Sequence, residues 1–221
     1  VWKEATGCDI YDGYGQTETI NIVANFPGMK IRPGSMGKPC PGLVVDIIDD
    51  LGNILSDGEI GHIGIKITDP YPPGLFHGYY LDATKTSEVF RNGWYYSGDT
   101  ATRDEDGYIW FVGRSDDVIS SSGYRISPFE VESALIEHSA VAESAVIAKP
   151  DSIRGEIVKA YIVLALGYDP SEDLINDIQN FVKSHSAPYK YPREIEFVTV
   201  LPKTISGKIR RVELREKARK E

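Results

Sequence analysis

The spacing of apolar residues changes character about halfway along this chain, and that change limits what the chain can fold into. Up to residue 115 the apolar runs are short and broken by Gly and Pro. Val44-Val-Asp-Ile-Ile48, then Asp49-Asp-Leu-Gly-Asn53, then Ile54-Leu55 read as a strand, a turn and a second short strand. Gly61-His-Ile-Gly-Ile-Lys-Ile67 alternates with period two, as a half-buried strand does. Trp94-Tyr-Tyr96 and Tyr108-Ile-Trp-Phe-Val112 flank a polar loop containing Asp106-Gly107, a hairpin signal. The region reads as mostly β, without internal repeats or low-complexity segments.

From about Asp117 helical spacing enters. Ser127-Pro-Phe-Glu130 has the form of a capping box, with Pro at the first helical position and Glu at the third. Val131, Ala134, Leu135 and His138 follow at helical intervals. Ala140–Ala148 and Ile157–Leu164 read as strands. Asp169-Pro-Ser-Glu172 opens a second helix in the same way, with Leu174, Ile178, Phe181 and Val182 as its buried stripe. Glu194-Ile-Glu-Phe-Val198 reads as a short strand and Val212–Lys220 as a charged final helix. The expected fold class is α+β, with a mostly-β part over residues 1–115 and a small α+β domain over 116–221. The intervals are too irregular to specify a doubly wound sheet.

Charge narrows the function classes. The 221 residues carry a formal net charge of −9, which argues against nucleic acid as a partner. The charge is uneven: Lys203 to Glu221 holds eight Lys/Arg and three acids, net +5, against −14 for the remainder. Cys8 and Cys40 form no C-x-x-C pair, and the four histidines are scattered, so no metal site rests on His/Cys spacing. No apolar run approaches the ~20 residues that span a bilayer. The sequence opens on Val1 and shows no signal peptide, and it reads as a piece of a longer chain.

Several short motifs could carry chemistry. In Asp12-Gly-Tyr-Gly-Gln-Thr-Glu-Thr19, two glycines permit close approach of a ligand to the backbone. Thr17 offers a hydroxyl for a phosphate oxygen and Glu18 a carboxylate for a hard cation. The plainer reading is a Gly-rich turn capped by Thr. In Tyr96-Ser-Gly-Asp99, an aspartate beside glycine at a strand end suits the paired hydroxyls of a ribose. Arg114 offers a fork of donors nearby. Asp104-Glu-Asp-Gly107 reads as turn chemistry only. Ser120-Ser-Ser-Gly-Tyr-Arg125 sets small residues before a guanidinium, against the plainer reading of a flexible loop. In Pro202-Lys-Thr-Ile-Ser-Gly-Lys208, Gly207 permits a tight exposed loop that presents one ammonium. Lys203 and the arginines after Lys208 read as surface charge.

Taken together and in order, these stretches resemble the adenylate-forming, AMP-binding enzymes, specifically acyl-CoA synthetases. Tyr14-Gly-Gln-Thr-Glu18, Ser97-Gly-Asp99, Asp106-Gly-Tyr108, Gly113-Arg-Ser-Asp-Asp117, Ser122-Gly-Tyr-Arg125, Glu130-Val-Glu132 and Pro202-Lys-Thr-Ile-Ser-Gly-Lys208 all match that family's pattern. Ala187-Pro-Tyr-Lys-Tyr-Pro-Arg193 and Gly74-Leu-Phe-His-Gly-Tyr-Tyr80 look most like its medium-chain branch. The resemblance implies that residues 1–115 are the C-terminal part of a large AMP-binding domain. It makes 116–221 the small mobile domain that carries the catalytic lysine. It also implies a Ser/Thr/Gly-rich phosphate loop upstream of Val1, so the 221 residues alone are expected to be inactive.

The implied reaction has two steps. A carboxylic acid attacks the α-phosphate of ATP to give acyl-AMP and pyrophosphate; the thiol of coenzyme A then displaces AMP. By family position, Thr17 contacts the α-phosphate, Glu18 holds Mg²⁺, and Asp12, Gly13, Tyr14, Gly15 and Gln16 line the adenine site. Asp99 and Arg114 take the ribose, and Lys208 bridges the carboxylate and α-phosphate. Asp116 matches the hinge about which the small domain turns between steps. Ser122, Gly123, Tyr124, Arg125, Arg154, Lys183, Tyr191, Pro192 and Arg193 are the candidate coenzyme A contacts, supplying cations and an aromatic face to its phosphates.

Acetate-specific relatives carry a bulky aromatic near Gly15, so glycine there implies a longer acyl chain. The other readings are an adenylating enzyme that loads a carrier protein, and a non-catalytic nucleotide-binding module. The resemblance implies roles in fatty acid metabolism and a cytoplasmic location, or the mitochondrial matrix for an animal chain. It leaves the oligomeric state open.

Overall fold

In the computed structural model, which describes residues 2–220, the chain divides into two units, one ending at Ser115 and the other beginning at Asp116. The first is built mainly from antiparallel strands joined by turns. After a short helix α1 (Trp2–Thr6), strands β1 (Gly13–Gly15), β2 (Asn21–Ala24) and β3 (Lys38–Pro39) form a three-stranded sheet. Strands β4 (Val45–Ile48) and β5 (Gly61–Lys66), helix α2 (Ala83–Val89), and strands β6 (Phe90–Arg91), β7 (Trp94–Arg103) and β8 (Ile109–Arg114) follow. They make a five-stranded sheet ordered β4-β5-β7-β6, with β8 paired to β7. The two sheets are tied where Met36 donates to the Ile109 carbonyl and Ile109 donates to that of Gly37. Between them lies a core of Ile22, Val23, Ile47, Ile63, Ile65, Tyr95 and Ile109.

The turns obey their side chains. Asp49 caps the β4 turn by accepting from Leu51 and Asn53. Asp104 does the same between β7 and β8, accepting from Asp106 and Tyr108 and pairing with Arg32. The turn reading of Asp104–Gly107 therefore stands. The short helices α1 and α2 were not signalled, being too brief for a periodic pattern to emerge.

The second unit is an α+β domain whose sheet carries helices on both faces. It comprises β9 (Ile119–Ser121), β10 (Tyr124–Ile126), α3 (Pro128–Ile136), β11 (Val141–Asp151), β12 (Gly155–Leu164), α4 (Glu172–His185), β13 (Glu194–Phe197) and α5 (Arg211–Ala218). The sheet runs β10-β9-β12-β11, and β13 lies parallel to β12 through the crossover helix α4. Ser127 caps α3 by accepting from Glu130, with Pro128 at the first position. Helix α4 opens two residues later than its sequence pattern suggests. Its cap is Ser171, whose hydroxyl accepts from Leu174, so Asp169-Pro170 belong to the approach.

Strand alternation sorts this sheet's two faces. Val146, Val158, Ala160 and Ile162 pack under α3 and α4 with Val131, Leu135, Ile178 and Val182. Ala145, Ile147 and Tyr161 pack with α5 through Leu214 and Ala218, and with Leu201. Each unit thus has its own core. Among the described residues no helix is long and apolar enough to cross a membrane.

Candidate active site

A bulge aims the ribose candidate. Between the pairs His62–Thr100 and Gly64–Tyr96, β5 holds one residue while β7 holds three, Ser97, Gly98 and Asp99. Asp99 therefore sits inside a ten-residue strand, not at a strand end as the sequence suggests. The extra residues re-aim a side chain that a regular pleat would place elsewhere. Gly98 makes this possible, with φ at +77° in the left-handed region.

Three side chains converge on the buried Asp99 carboxylate. The Tyr14 hydroxyl donates to Oδ2 at 2.5 Å and Gln16 Nε2 donates to the same oxygen at 2.8 Å. Arg114 Nη1 stands 3.6 Å from Oδ1. Gln16 is itself fixed, because Nε2 also donates to the Ser97 carbonyl at 2.9 Å and Oε1 accepts from Tyr95 at 3.0 Å. Burial, reinforced by Asp99, raises the Tyr14 phenol well above its ordinary value. Burial raises Tyr95 as well, with Glu18 adding to the push. Both phenols stay protonated across physiological pH and keep donating.

The remaining candidates of this unit lie along the same turn. Thr19 performs the capping: its hydroxyl accepts from Gln16 and donates to Ile20. This leaves Thr17 exposed at the tip. Glu18 accepts from the Tyr79 hydroxyl at 3.0 Å. Burial and then Glu18 raise the Tyr79 phenol, so it too remains a donor. Asp12 is exposed, and its carbonyl receives the Asn25 amide. Gly13 and Gly15 lie in β1. A Cβ on Gly15 would stand 2.3 Å from the Ile20 carbonyl oxygen. The glycine is thus required by close backbone approach in the β1–β2 pairing. It opens no volume in that direction, which removes the premise of a longer acyl chain.

In the second unit Lys208 is presented by a tight hairpin. Lys203 and Ile209 pair across it. The Thr204 amide donates to the Lys208 carbonyl at 2.8 Å, the Lys208 amide donates to Thr204 Oγ1 at 3.1 Å, and Gly207 turns the chain at φ +83°. Lys208 is exposed at its end. Asp116, 63% exposed on its side chain, stands 4.0 Å from Arg215.

Several of the coenzyme A candidates are linked by contacts. Ser122 and Gly123 make the β9–β10 turn, with positive φ at both positions. Arg154 Nη1 donates to Ser122 Oγ at 3.2 Å, and the Ser122 amide donates to the Arg154 carbonyl. Tyr124 stacks on Tyr189, ring centroids 4.2 Å apart. Lys183 and Arg193 flank the Tyr191 ring at 4.2 and 5.0 Å. Arg154 and Arg193 both act on the Asp151 carboxyl, which backbone donors from Arg154 and Ile153 hold below its ordinary value. Arg125 is exposed on β10. Pro192 departs from the set: it is buried, and its carbonyl accepts from Gln179, so it braces the loop.

The arginines after Lys208 are not uniformly surface charge. Arg210 pairs locally with Glu213. Arg211 Nη2 donates to both oxygens of Glu132 at 2.7 Å, and Arg215 pairs with Asp117. The sequence held one signal of this: Arg211 and Arg215 are spaced i, i+4 and share a helix face. Nothing local marks Tyr79 or Tyr95.

Among the described residues no group of three or more His, Cys, Asp or Glu side chains is placed to hold a metal. A lone Glu18 carboxylate nonetheless suits Mg²⁺, which takes one or two protein carboxylates and completes its shell with phosphate oxygens and water.

Comparison with known proteins adds to this geometry. Residues 1–80 match the AMP-binding enzyme family, and residues 130–208 match the AMP-binding enzyme C-terminal domain. The chain is 58% identical to acyl-coenzyme A synthetase ACSM3, mitochondrial, of Rattus norvegicus over 98% of its own length and 38% of that protein's. It is 56% identical to 4-hydroxybutyrate–CoA ligase 1 of Metallosphaera sedula, with the same coverage. It superposes on the crystal structure of the anthranilate CoA ligase AuaEII in complex with anthranoyl-AMP with a TM-score of 0.84 and 44% identity. That match covers 98% of this chain and 40% of the other. The chain therefore spans about two fifths of the length of the relatives it matches.

Proposed function

Because this chain belongs to the AMP-binding enzyme family, we propose that it forms the ribose side of the nucleotide site and the lysine-bearing domain of an acyl-CoA synthetase. The proposed reaction joins a carboxylic acid to coenzyme A at the expense of ATP, through an acyl-adenylate, releasing pyrophosphate and AMP. The observation that carries this reading is the Asp99 carboxylate, buried on a bulge and oriented by Tyr14, Gln16 and Arg114. A carboxylate held this way is prepaid for receiving a vicinal diol, since its orientation need not be fixed on binding.

In this reading Asp12, Gly13, Gly15 and Gln16 border the adenine, with Tyr14 between base and ribose. Thr17, exposed at the turn tip, meets the α-phosphate. Mg²⁺, when bound, neutralises phosphate charge, and Glu18 is the residue that would hold it, steadied by Tyr79. Lys208 supplies the cation for the developing charge of the first step. Turning at Asp116 withdraws it for the second step, and Ser122, Gly123 and Tyr124 receive the pantetheine arm. Arg125, Arg154, Lys183, Tyr191 and Arg193 take the phosphates and base of coenzyme A. The rat relative's name carries the word mitochondrial. We accordingly propose the mitochondrial matrix for an animal chain and the cytoplasm otherwise.

The test separates the half-reactions in the full-length enzyme. Lys208→Ala should lower adenylation about a hundredfold or more. Thioester formation from supplied acyl-adenylate and free coenzyme A should stay within about threefold of wild type. Equal loss of both half-reactions overturns the lysine's role. Failure of the wild-type enzyme to use free coenzyme A overturns the ligase reading in favour of a carrier-loading enzyme.

A further inference from the structure

The lysine hairpin and the start of its unit are joined by a chain of ion pairs with no part in the site described so far. Leu201 and Ile209, at the two feet of the hairpin, pack in the core beneath α5. The Arg210 amide closes the base by donating to the Pro202 carbonyl at 2.9 Å. Immediately after it, the single nitrogen Arg211 Nη2 lies 2.7 Å from both Glu132 oxygens, with side-chain exposures of 23% and 12%, while the buried Arg211 Nε makes no hydrogen bond. Glu132 is further fixed because Oε1 accepts from the Val146 amide at 2.7 Å. One helical turn later, Arg215 pairs with Asp117 and its Nη1 donates to the Asp116 carbonyl at 3.4 Å. Arg211 Nη1 stands 4.0 Å from the other Asp117 oxygen, so both arginines share Asp117. Asp117 is itself only 12% exposed.

Isolated exposed ion pairs contribute little, but these are shielded and share partners: Arg211 meets both Glu132 and Asp117, and Asp117 meets both arginines. The planar guanidinium fixes direction as well as distance. Each end of the network also lies at a functional point. Arg211 is three residues from Lys208, and Asp117 is the neighbour of Asp116. Arg211 and Arg215 lie on one face of α5, so the short helix acts as a rigid strut between them.

We propose that Arg211 and Arg215, with Glu132 and Asp117, are positioning residues that lock the Lys208 hairpin to the Asp116–Asp117 segment. Rotation of the chain at Asp116 is then delivered to the lysine without slack. This rests on the roles given above to Lys208 and Asp116. A structural brace alone would serve both half-reactions equally. A positioning device serves chiefly the adenylation step, which needs the ammonium placed to within a fraction of an ångström.

The test uses the full-length enzyme and four variants: Arg215→Met, Arg215→Lys, the charge-neutral pair Glu132→Gln/Arg211→Gln, and Lys208→Ala as reference. The paired variant avoids stranding a buried Glu132 and keeps the test open should a single charge removal fail to fold. Arg215→Met and the paired variant should each lower the adenylation kcat at least tenfold. KM for ATP, and thioester formation from supplied acyl-adenylate, should stay within about threefold. Arg215→Lys, which keeps a cation on Asp117, should recover at least part of the lost kcat. The proposal is overturned if both half-reactions fall together, or if adenylation is unchanged while Lys208→Ala abolishes it. Should Lys208→Ala leave adenylation intact, the lysine assignment itself fails and this proposal falls with it.

Discussion

At Asp99 two of the three converging side chains come from Tyr14 and Gln16, more than eighty positions earlier in the chain. The carboxylate is set by partners that no local window contains. Their contribution is testable one donor at a time. Tyr14→Phe removes one hydrogen bond to a charged acceptor while keeping the ring. It should weaken AMP binding by the full-length enzyme about tenfold, roughly 1.5 kcal/mol. Isothermal titration against wild type checks this, and an unchanged affinity would show that Gln16 and Arg114 suffice. At the same scale, Gly15 shows how a residue type misleads. Glycine can mean room for a ligand or absence of room for a side chain, and the Ile20 carbonyl 2.3 Å from the would-be Cβ decides for the latter.

Helix caps and strand alternation are local, and they were legible except at α4, whose cap is Ser171 and not Asp169. Ser127 caps α3 where the capping box places it, and the stripe of α4 buries Ile178 and Val182. What alternation hid is a lysine on the α5 face of the sheet. Lys159, 1% exposed, sits on β12 between Glu194 at 2.9 Å and Glu196 at 3.1 Å. Lys149 also holds Glu194, and Lys217 of α5 holds Glu196. Burial pushes the Glu194 carboxyl up, but Lys159 and Lys149 outweigh it and hold the group below its ordinary 4.5. A carboxylate with a lowered folded pKa contributes stability above its unfolded value and loses it as pH falls through the folded one. Glu194→Gln should therefore destabilise the protein by about 1 kcal/mol at neutral pH, discounted because the Glu194 side chain is 35% exposed and Glu196 remains on Lys159. The difference should shrink below pH 4.5, as the wild-type group protonates. Unfolding midpoints of both proteins across pH 3–7 test this, and a pH-independent gap would contradict it.

At the scale of the whole molecule, the chain divides at Ser115 and Asp116, and each unit encloses its own core. The described residues that pack into the cores of the second unit lie between Ile119 and Ala218. Produced alone, residues 116–221 should unfold in one cooperative transition and give a dispersed amide spectrum. A non-cooperative melt would show that its stability depends on the rest of the protein. Within this unit ion pairs run from α5 to the Asp116–Asp117 segment, so the proposed hinge and lysine roles can be tested together.

The sequence by itself determined the α+β class, most element positions and the family. These rest on periodicity, capping and turn chemistry, which act over a few residues, and on short motifs whose order is visible in one dimension. The tertiary structure decided which charges are solvated and which are anchored. The i, i+4 spacing sets Arg211 and Arg215 on one helix face, but only the fold shows that they meet Glu132 and Asp117, across separations of about eighty and a hundred residues. It also decided that Asp99 stands on a bulge with three side chains turned toward it. Burial and charge pairing are properties of neighbours in space, and those neighbours exist only once the chain has closed on itself.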